Sequence, residues 1–277
     1  MNPSISIYEV GPRDGIQIFK ELIPMDVKVA LITALAEGGL TNIEMGSFVH
    51  PKLVPNMADS DELFKQVAHL DVNLGVLVPN HRGIKRAISV GAINLNIFFS
   101  PINSFNLANH GKTYEEVVQH YYEALEGIAK ENVRVYLSMA FHADKQQMDK
   151  AMKDATTLGC KVVLCDTDGT ATNEQIYHSI RMAQVWTKQI ALHLHNSSQM
   201  FQHITTAYAL GVHEFDSSIG GMGGCPFVEG SMANLPTEDL VAWCDEQGIT
   251  CNINLEDLEP ALAIVKKIKD YAPTLHQ

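Results

Sequence analysis

The chain lacks the features that would place it in several broad classes. No apolar run approaches the ~20 residues needed to span a bilayer. The opening MNPSISIYEV has neither a basic stretch nor the apolar core of a secretory signal. No block of Lys or Arg stands out, and 20 basic residues face 32 acidic ones for a formal charge of −12. That balance argues against nucleic acid as a partner, because phosphate neutralisation needs a basic surface. It also means that an anionic substrate would need local help from a metal, an Arg or a helix N-terminus. The five cysteines, Cys160, Cys165, Cys225, Cys244 and Cys251, are odd in number and lack CxxC spacing. They fit neither a disulfide framework nor a zinc knuckle. The expectation is a cytoplasmic protein with reduced thiols and no membrane partner. No linker, low-complexity tract or charge block divides the sequence, so residues 1–277 read as one domain.

Ample core material is present: 46% of residues are hydrophobic and 19% charged, which excludes a disordered or fibrous chain. Short apolar runs alternate with amphipathic stretches. Strands are predicted at Ser4–Val10, Thr41–Met45, Val72–Val78, Ile93–Phe99, Val133–Ala140, Val162–Asp166, Ile190–His195 and Glu214–Ser218. Helices are predicted between them at Met25–Glu37, Asp59–Ala68, Arg82–Val90, Tyr114–Glu131, Lys145–Leu158, Asn173–Lys188 and Ser198–Leu210. Two more, Thr237–Gln247 and Leu255–Tyr271, close the chain. Eight βα units at this length favour an α/β fold of the (β/α)8 TIM-barrel type over a doubly wound sheet.

A barrel carries its chemistry at the C-terminal ends of its strands, and the conspicuous polar residues fall there. The first strand runs into Glu9-Val10-Gly11-Pro12-Arg13-Asp14-Gly15, the second passes Glu44, the sixth ends at Asp166 and the seventh at His193-Leu194-His195. Residues two apart on a strand share a face, so both imidazoles can reach one point. With Asp14 and the amide oxygen of Asn234 they form a candidate metal site, against the plainer reading of two half-buried rim histidines. Oxygen-rich company favours Mg²⁺ or Mn²⁺. Arg13 can donate to an oxyanion, although Arg13-Asp14 also fits an ordinary surface ion pair. Glu44 and Asp166 are costly at the ends of apolar strands unless paired or near a cation. Either the metal and Arg13 or a neighbouring Lys would serve. The glycine-rich loop Gly220–Pro226 holds Cys225, a candidate for proton transfer or nucleophilic work as well as a passive small hydrophobe.

Taken together, these segments resemble the 3-hydroxy-3-methylglutaryl-CoA lyase family, among the metal-dependent lyase and acyltransferase barrels. The resemblance rests on Val10-Gly-Pro-Arg-Asp-Gly-Ile-Gln17, Ile43-Glu-Met-Gly-Ser-Phe-Val49 and Pro51-Lys-Leu-Val-Pro-Asn-Met57. Asp166-Thr167, His193-Leu-His195, Asp216-Ser-Ser218, Gly223-Gly-Cys-Pro226 and Asn234-Leu-Pro-Thr-Glu-Asp-Leu240 follow in the family's order. It implies that Asp14, His193, His195 and Asn234 bind one Mg²⁺ or Mn²⁺, and that Arg13 stabilises an enolate. It further implies that Cys225 assists proton transfer from a closing loop and that Glu44 and Asp166 shape the catalytic centre, with His193 as an acid/base group. The implied substrate is a small molecule, an acyl-CoA, and the implied assembly a homodimer.

Several segments depart from the family pattern: Ile18-Phe19, Phe141-His142-Ala143-Asp144, Asp168-Gly169 and Asn196-Ser197-Ser198-Gln199. They spare the implied ligands and surround the implied substrate. The expected reaction is retro-aldol cleavage of 3-hydroxy-3-methylglutaryl-CoA, or a related 3-hydroxyacyl-CoA, to an acetyl thioester and a keto acid. The alternative on the same barrel is Claisen condensation or aldol cleavage of 2-oxo acids. A non-catalytic barrel would have lost a ligand or Arg13, and neither is lost.

Overall fold

The computed structural model describes residues 3–224 and 233–271. Eight parallel strands close into a barrel in sequence order. They are β1 (Ser6–Glu9), β2 (Asn42–Ser47), β3 (Asn73–Leu77), β4 (Asn94–Phe99), β5 (Val133–Leu137), β6 (Lys161–Cys165), β7 (Ile190–His193) and β8 (Glu214–Ser217). The connecting helices are α1 (Met25–Glu37), α2 (Ser60–Val67), α3 (His81–Ser89), α4 (Asn103–His110), α5 (Tyr114–Ala124), α6 (Lys145–Leu158), α7 (Asn173–Ala183) and α8 (Met200–Ala209). The chain continues through α9 (Thr237–Glu246) to α10 (Glu259–Tyr271), which packs against α1 beside the closure of the barrel. No described helix is long and apolar enough to cross a membrane.

Local chemistry sets the boundaries. Thr113, Asp144 and Thr172 each cap a helix with the reciprocal side-chain bond from the residue three positions on, which fixes the starts of α5, α6 and α7. Two expectations are corrected. The predicted helix Tyr114–Glu131 stops at Ala124, because Gly127 takes φ +80° and a separate helical turn follows at Lys130–Asn132. The predicted helix Asn173–Lys188 ends at Ala183. A helix absent from the sequence reading, α4, lies between β4 and α5.

Alternation along the strands divides the residues between two environments. One parity packs Ile43, Val76, Leu95, Val135, Leu164, Leu192 and Phe215 against the helices in one large core. The other parity faces the barrel lumen, and it is mixed. Tyr136, Val163, Cys165 and Ala191 form a small apolar cluster. Tyr8, Glu44, Asn96, Arg134 and Asp216 form a buried polar layer. That polar layer lies beneath the candidate site and holds its charges in place.

Glu9 shows how the barrel manages one such charge. Fully buried, it accepts hydrogen bonds from the Gly11 and Ile219 N–H groups at 2.7 and 2.9 Å and from the Thr237 hydroxyl at 2.5 Å. Burial pushes its carboxyl up to about 7. A carboxyl whose folded pKa is raised contributes stability that is present below pH 4.5 and is lost as pH rises through about 7. Glu9→Gln therefore removes a pH dependence. The unfolding free energy of the native protein should fall, relative to that of the variant, by up to about 3 kcal/mol from pH 4.5 to 8. Urea denaturation at several pH values checks this; a pH-independent difference between the two proteins would mean that Glu9 titrates normally.

Candidate active site

The chain leaves β1 through one tight helical turn, Gly11–Gly15, in which the Val10 carbonyl accepts the N–H groups of Arg13 (3.1 Å) and Asp14 (2.7 Å). This turn drops both side chains into the mouth of the barrel, where each is more than nine-tenths buried. The surface ion pair is thereby excluded. Arg13 donates through Nε to Glu44 Oε2 at 2.5 Å and through Nη1 to Asp14 Oδ1. Glu44 places its other oxygen 2.7 Å from Asn96 Nδ2, so its cationic partner is Arg13 and not a Lys. Burial opposes the charge on Arg13, but the two flanking carboxylates hold the guanidinium protonated, and Arg13 in turn lowers Asp14.

Across the mouth, β7 delivers His193, and His195 follows in a bridge to Asn234. Their rings lie 5.3 Å apart between centroids. Each Nδ1 is engaged from behind: that of His193 by Asp216 Oδ2 at 3.1 Å, that of His195 by the Asp166 carbonyl at 2.5 Å. Among the described residues both Nε2 atoms are thus left for another partner, the arrangement seen when histidines are oriented to ligate a metal. Burial, with His193 alongside, depresses His195 to about 4 and keeps it neutral. Burial also acts against protonation of His193, but Asp216 outweighs it and raises that ring.

Asn234 is carried into the site by a segment laid between the ends of β7 and β8. The Leu235 N–H bonds the Leu194 carbonyl, and the Ser218 N–H bonds the Leu235 carbonyl. Its Nδ2 donates to Asp14 Oδ2 at 2.7 Å and to the Met222 carbonyl at 3.1 Å. Its Oδ1 is buried and has no partner among the described residues. A Cβ at Gly223 would stand 2.4 Å from Asn234 Nδ2, so only glycine fits there.

The four expected ligands therefore come together, but Asp14 is drawn toward Arg13, Gln17 and Asn234 and is not closed onto the histidines. A buried orphan amide oxygen, a lowered carboxylate and two free imidazole nitrogens suit a divalent cation. A tighter cluster of donors lies beside them. His142, Asp166 and Asp168 have ligating atoms within 4.8 Å of one another. Here His142 Nε2 already meets Asp168 Oδ1 at 3.1 Å, and Thr170 donates to the same oxygen. Asp166 accepts from the Ala171 N–H, while its buried second oxygen has no partner among the described residues, and burial pushes its carboxyl up to about 6. Cys225 lies outside the described residues.

A cavity of about 140 Å³ opens between Arg13 and the histidines. Gln17, Ser138 and Tyr136 add polar groups, while Leu77, Phe98 and Phe105 of α4 give it an apolar wall. Its size suits a small acyl group, not a nucleotide. The sequence reading missed Asp216, Asn96, Tyr136 and Phe105. Asp216 had two signals: it opens the resembling segment Asp216-Ser-Ser218, and it shares with Glu214 the inward parity of β8.

With this geometry in place, comparison with known proteins is informative. The HMGL-like family model matches residues 4–265. The mitochondrial hydroxymethylglutaryl-CoA lyase of Bos taurus is 35% identical over 274 residues, covering 94% of this chain and 84% of that protein. The mitochondrial enzyme of Arabidopsis thaliana is also 35% identical, covering 95% of this chain, and this chain spans 59% of its length. An HMG-CoA lyase from Acinetobacter baumannii, solved with coenzyme A and 3-methylmalate, superposes with a TM-score of 0.88 at 30% identity, over 98% of this chain and 93% of that one. A barrel of this order and likeness along nearly the whole sequence agree: the chain belongs to the HMGL-like family.

Proposed function

We propose that this protein is a metal-dependent carbon–carbon lyase that cleaves 3-hydroxy-3-methylglutaryl-CoA, or a close 3-hydroxyacyl-CoA relative, to an acetyl thioester and a keto acid. One observation carries the reading. Arg13 is buried, permanently charged and anchored by two carboxylates in the lining of a cavity that His193 and His195 also line. Asp14, His193, His195 and Asn234 are assigned to the metal, Mg²⁺ or Mn²⁺. When bound, such a cation polarises the tertiary hydroxyl of the substrate and lowers its pKa.

The chain's own residues account for the rest. Nε and Nη1 of Arg13 are committed to Glu44 and Asp14, which leaves Nη2 to donate to the thioester oxygen. The hydroxyl gives up its proton to the acid/base group, assigned to His193 by resemblance, as the ketone forms. The carbon–carbon bond breaks, its electron pair moves onto the acetyl thioester, and the negative charge gathers on that oxygen. A donor already fixed there favours the transition state over the ground state. Tyr136, held protonated by burial, adds a hydroxyl at the cavity wall. The Leu77–Phe98–Phe105 wall excludes water from the carbanion. A proton delivered to the enolate carbon completes acetyl-CoA, a step assigned to Cys225 by resemblance. Glu44 positions Arg13, and the Asp166 carbonyl positions His195. The acyl group occupies the cavity and CoA extends from its mouth, an assignment supported by the CoA complex of the Acinetobacter relative.

We assign the chain to a single catalytic domain, supported by a barrel that closes on itself with α10 against α1. A cytoplasmic location is supported by the free thiols of Cys160, Cys165, Cys244 and Cys251 and by a cytoplasmic HMG-CoA lyase among the human relatives. The experiment is cleavage of 3-hydroxy-3-methylglutaryl-CoA by the purified protein. Acetyl-CoA and acetoacetate should appear with Mg²⁺ or Mn²⁺ and cease with EDTA. No turnover by protein that demonstrably holds its metal would overturn the substrate. Activity on a 2-oxo acid instead would move the reaction to condensation or aldol cleavage.

A further inference from the structure

The geometry points to Arg134, a residue of the barrel floor that touches neither the cavity nor the candidate ligands, as the positioning residue for His193. The inference rests on the ligand assignment above. Arg134 projects inward from β5, and its guanidinium crosses the lumen to β8, three strands away around the barrel. There Nη2 donates to Asp216 Oδ1 at 2.5 Å, and Nη1 donates to Glu214. The group is sandwiched between rings, with its carbon 4.2 Å from the Tyr8 centroid and 5.5 Å from that of Tyr136. Its side chain is 9% exposed.

Asp216 divides its two oxygens. Oδ1 takes Arg134, Oδ2 takes His193 Nδ1, and the carboxylate is wholly buried between them. A carboxylate with two oxygens and two fixed partners has no rotation left. The Arg134 bond on one side therefore sets where the other oxygen points, and through it the tilt of the His193 ring and the direction of Nε2. Strand pairing holds the same geometry. Asp216 sits opposite His193 on one side and Tyr8 on the other, so the residue that stacks on Arg134 is also beside its acceptor.

The other half of the site joins the same layer. The Tyr8 hydroxyl accepts from Asn96 Nδ2 at 2.9 Å, and Asn96 also holds Glu44, the anchor of Arg13. A Cβ at Gly75 would lie 1.9 Å from the Tyr8 hydroxyl, so the layer requires glycine at that position. Arg134 is its cationic centre.

Glu214 competes for the same guanidinium but also has Lys161, whose Nζ lies 2.7 Å from Oε2. The two acids are served by a fork, which an ammonium lacks. This suggests a test by Mn²⁺ affinity in the full-length protein, read by paramagnetic resonance of the free ion and accompanied by circular dichroism. Arg134→Met should weaken Mn²⁺ binding about 10- to 100-fold, the usual cost of losing a partner behind a ligand. His193→Ala serves as the control. If His193→Ala binds Mn²⁺ like the native protein, the ligand assignment fails, and the role of Arg134 with it. If His193→Ala loses binding and folded Arg134→Met does not, the role of Arg134 alone is overturned.

A second pair of variants covers the case in which Arg134→Met does not fold. Arg134→Lys keeps the buried charge, and its single ammonium is shared between Glu214 and Asp216, so affinity should fall several-fold. Adding Glu214→Gln frees that ammonium for Asp216 and should restore affinity. A purely structural arginine gives no such restoration, because a second substitution in the same layer only weakens the fold further. Native affinity in Arg134→Lys, or no recovery in the double variant, would overturn the proposal.

Discussion

Arg13→Lys should keep its divalent metal and lose about 10²- to 10³-fold in kcat, the usual cost of removing one well-placed oxyanion donor. The expectation follows from how the guanidinium is divided. Its Nε–H goes to Glu44 and one Nη1–H to Asp14, and the remaining donors face the cavity. A lysine ammonium has three donors on one atom, and the same two carboxylates would draw that atom toward the strand ends. The enolate oxygen would then lie beyond reach, although the charge balance around Glu44 and Asp14 would survive. The loss should fall on kcat far more than on KM, since the lost interaction forms fully only as charge develops. Steady-state kinetics beside metal titration checks this. A variant with near-native kcat would remove Arg13 from the enolate role and leave it as a buried tether for Asp14.

Sequence carried the parts of this site that depend on near neighbours. The HxH spacing on a strand was enough to bring His193 and His195 to one point, because strand parity is a local rule. The Gly-Pro step ahead of Arg13 and Asp14 marked a turn at a strand end. The eight βα units followed from the alternation of short apolar runs with amphipathic stretches, and α1 and α6 match the predicted spans of Met25–Glu37 and Lys145–Leu158 residue for residue. What sequence could not carry was pairing across the lumen. Glu44 lies 31 residues from Arg13 and Arg134 lies 82 from Asp216, and nothing local to any of them selects the partner. Glu44 therefore read equally well as a partner of Arg13 or of a lysine. Arg134 was not singled out at all within its strand, and α4 was missed because its short polar sequence resembles a loop. Closing the barrel converts these inward positions into a common layer, and only then does each charge acquire its counter-charge.

His193→Ala should bind Mn²⁺ at least about 100-fold more weakly and show no turnover, and Asp14→Ala should do the same by a different route. In the first variant the ligand itself is gone, while Asp216 retains Arg134 and stays compensated, so the barrel should fold. In the second, Arg13 keeps Glu44 but loses Asp14, and Asn234 Nδ2 loses one of its two acceptors and keeps the Met222 carbonyl. A buried charge that retains one partner is tolerable, whereas one left with none costs several kcal/mol. Both variants should therefore remain folded, and the loss should appear as metal affinity before it appears as stability. His195→Ala offers the internal comparison. Its ring is oriented by a backbone carbonyl rather than a carboxylate, so its removal leaves no buried charge behind and isolates the worth of one imidazole ligand. Calorimetric titration of the three folded variants resolves the assignment: loss of affinity in all three marks one shared cation. Native affinity in all three would instead direct attention to His142, Asp166 and Asp168, whose donor atoms already lie within 4.8 Å of one another.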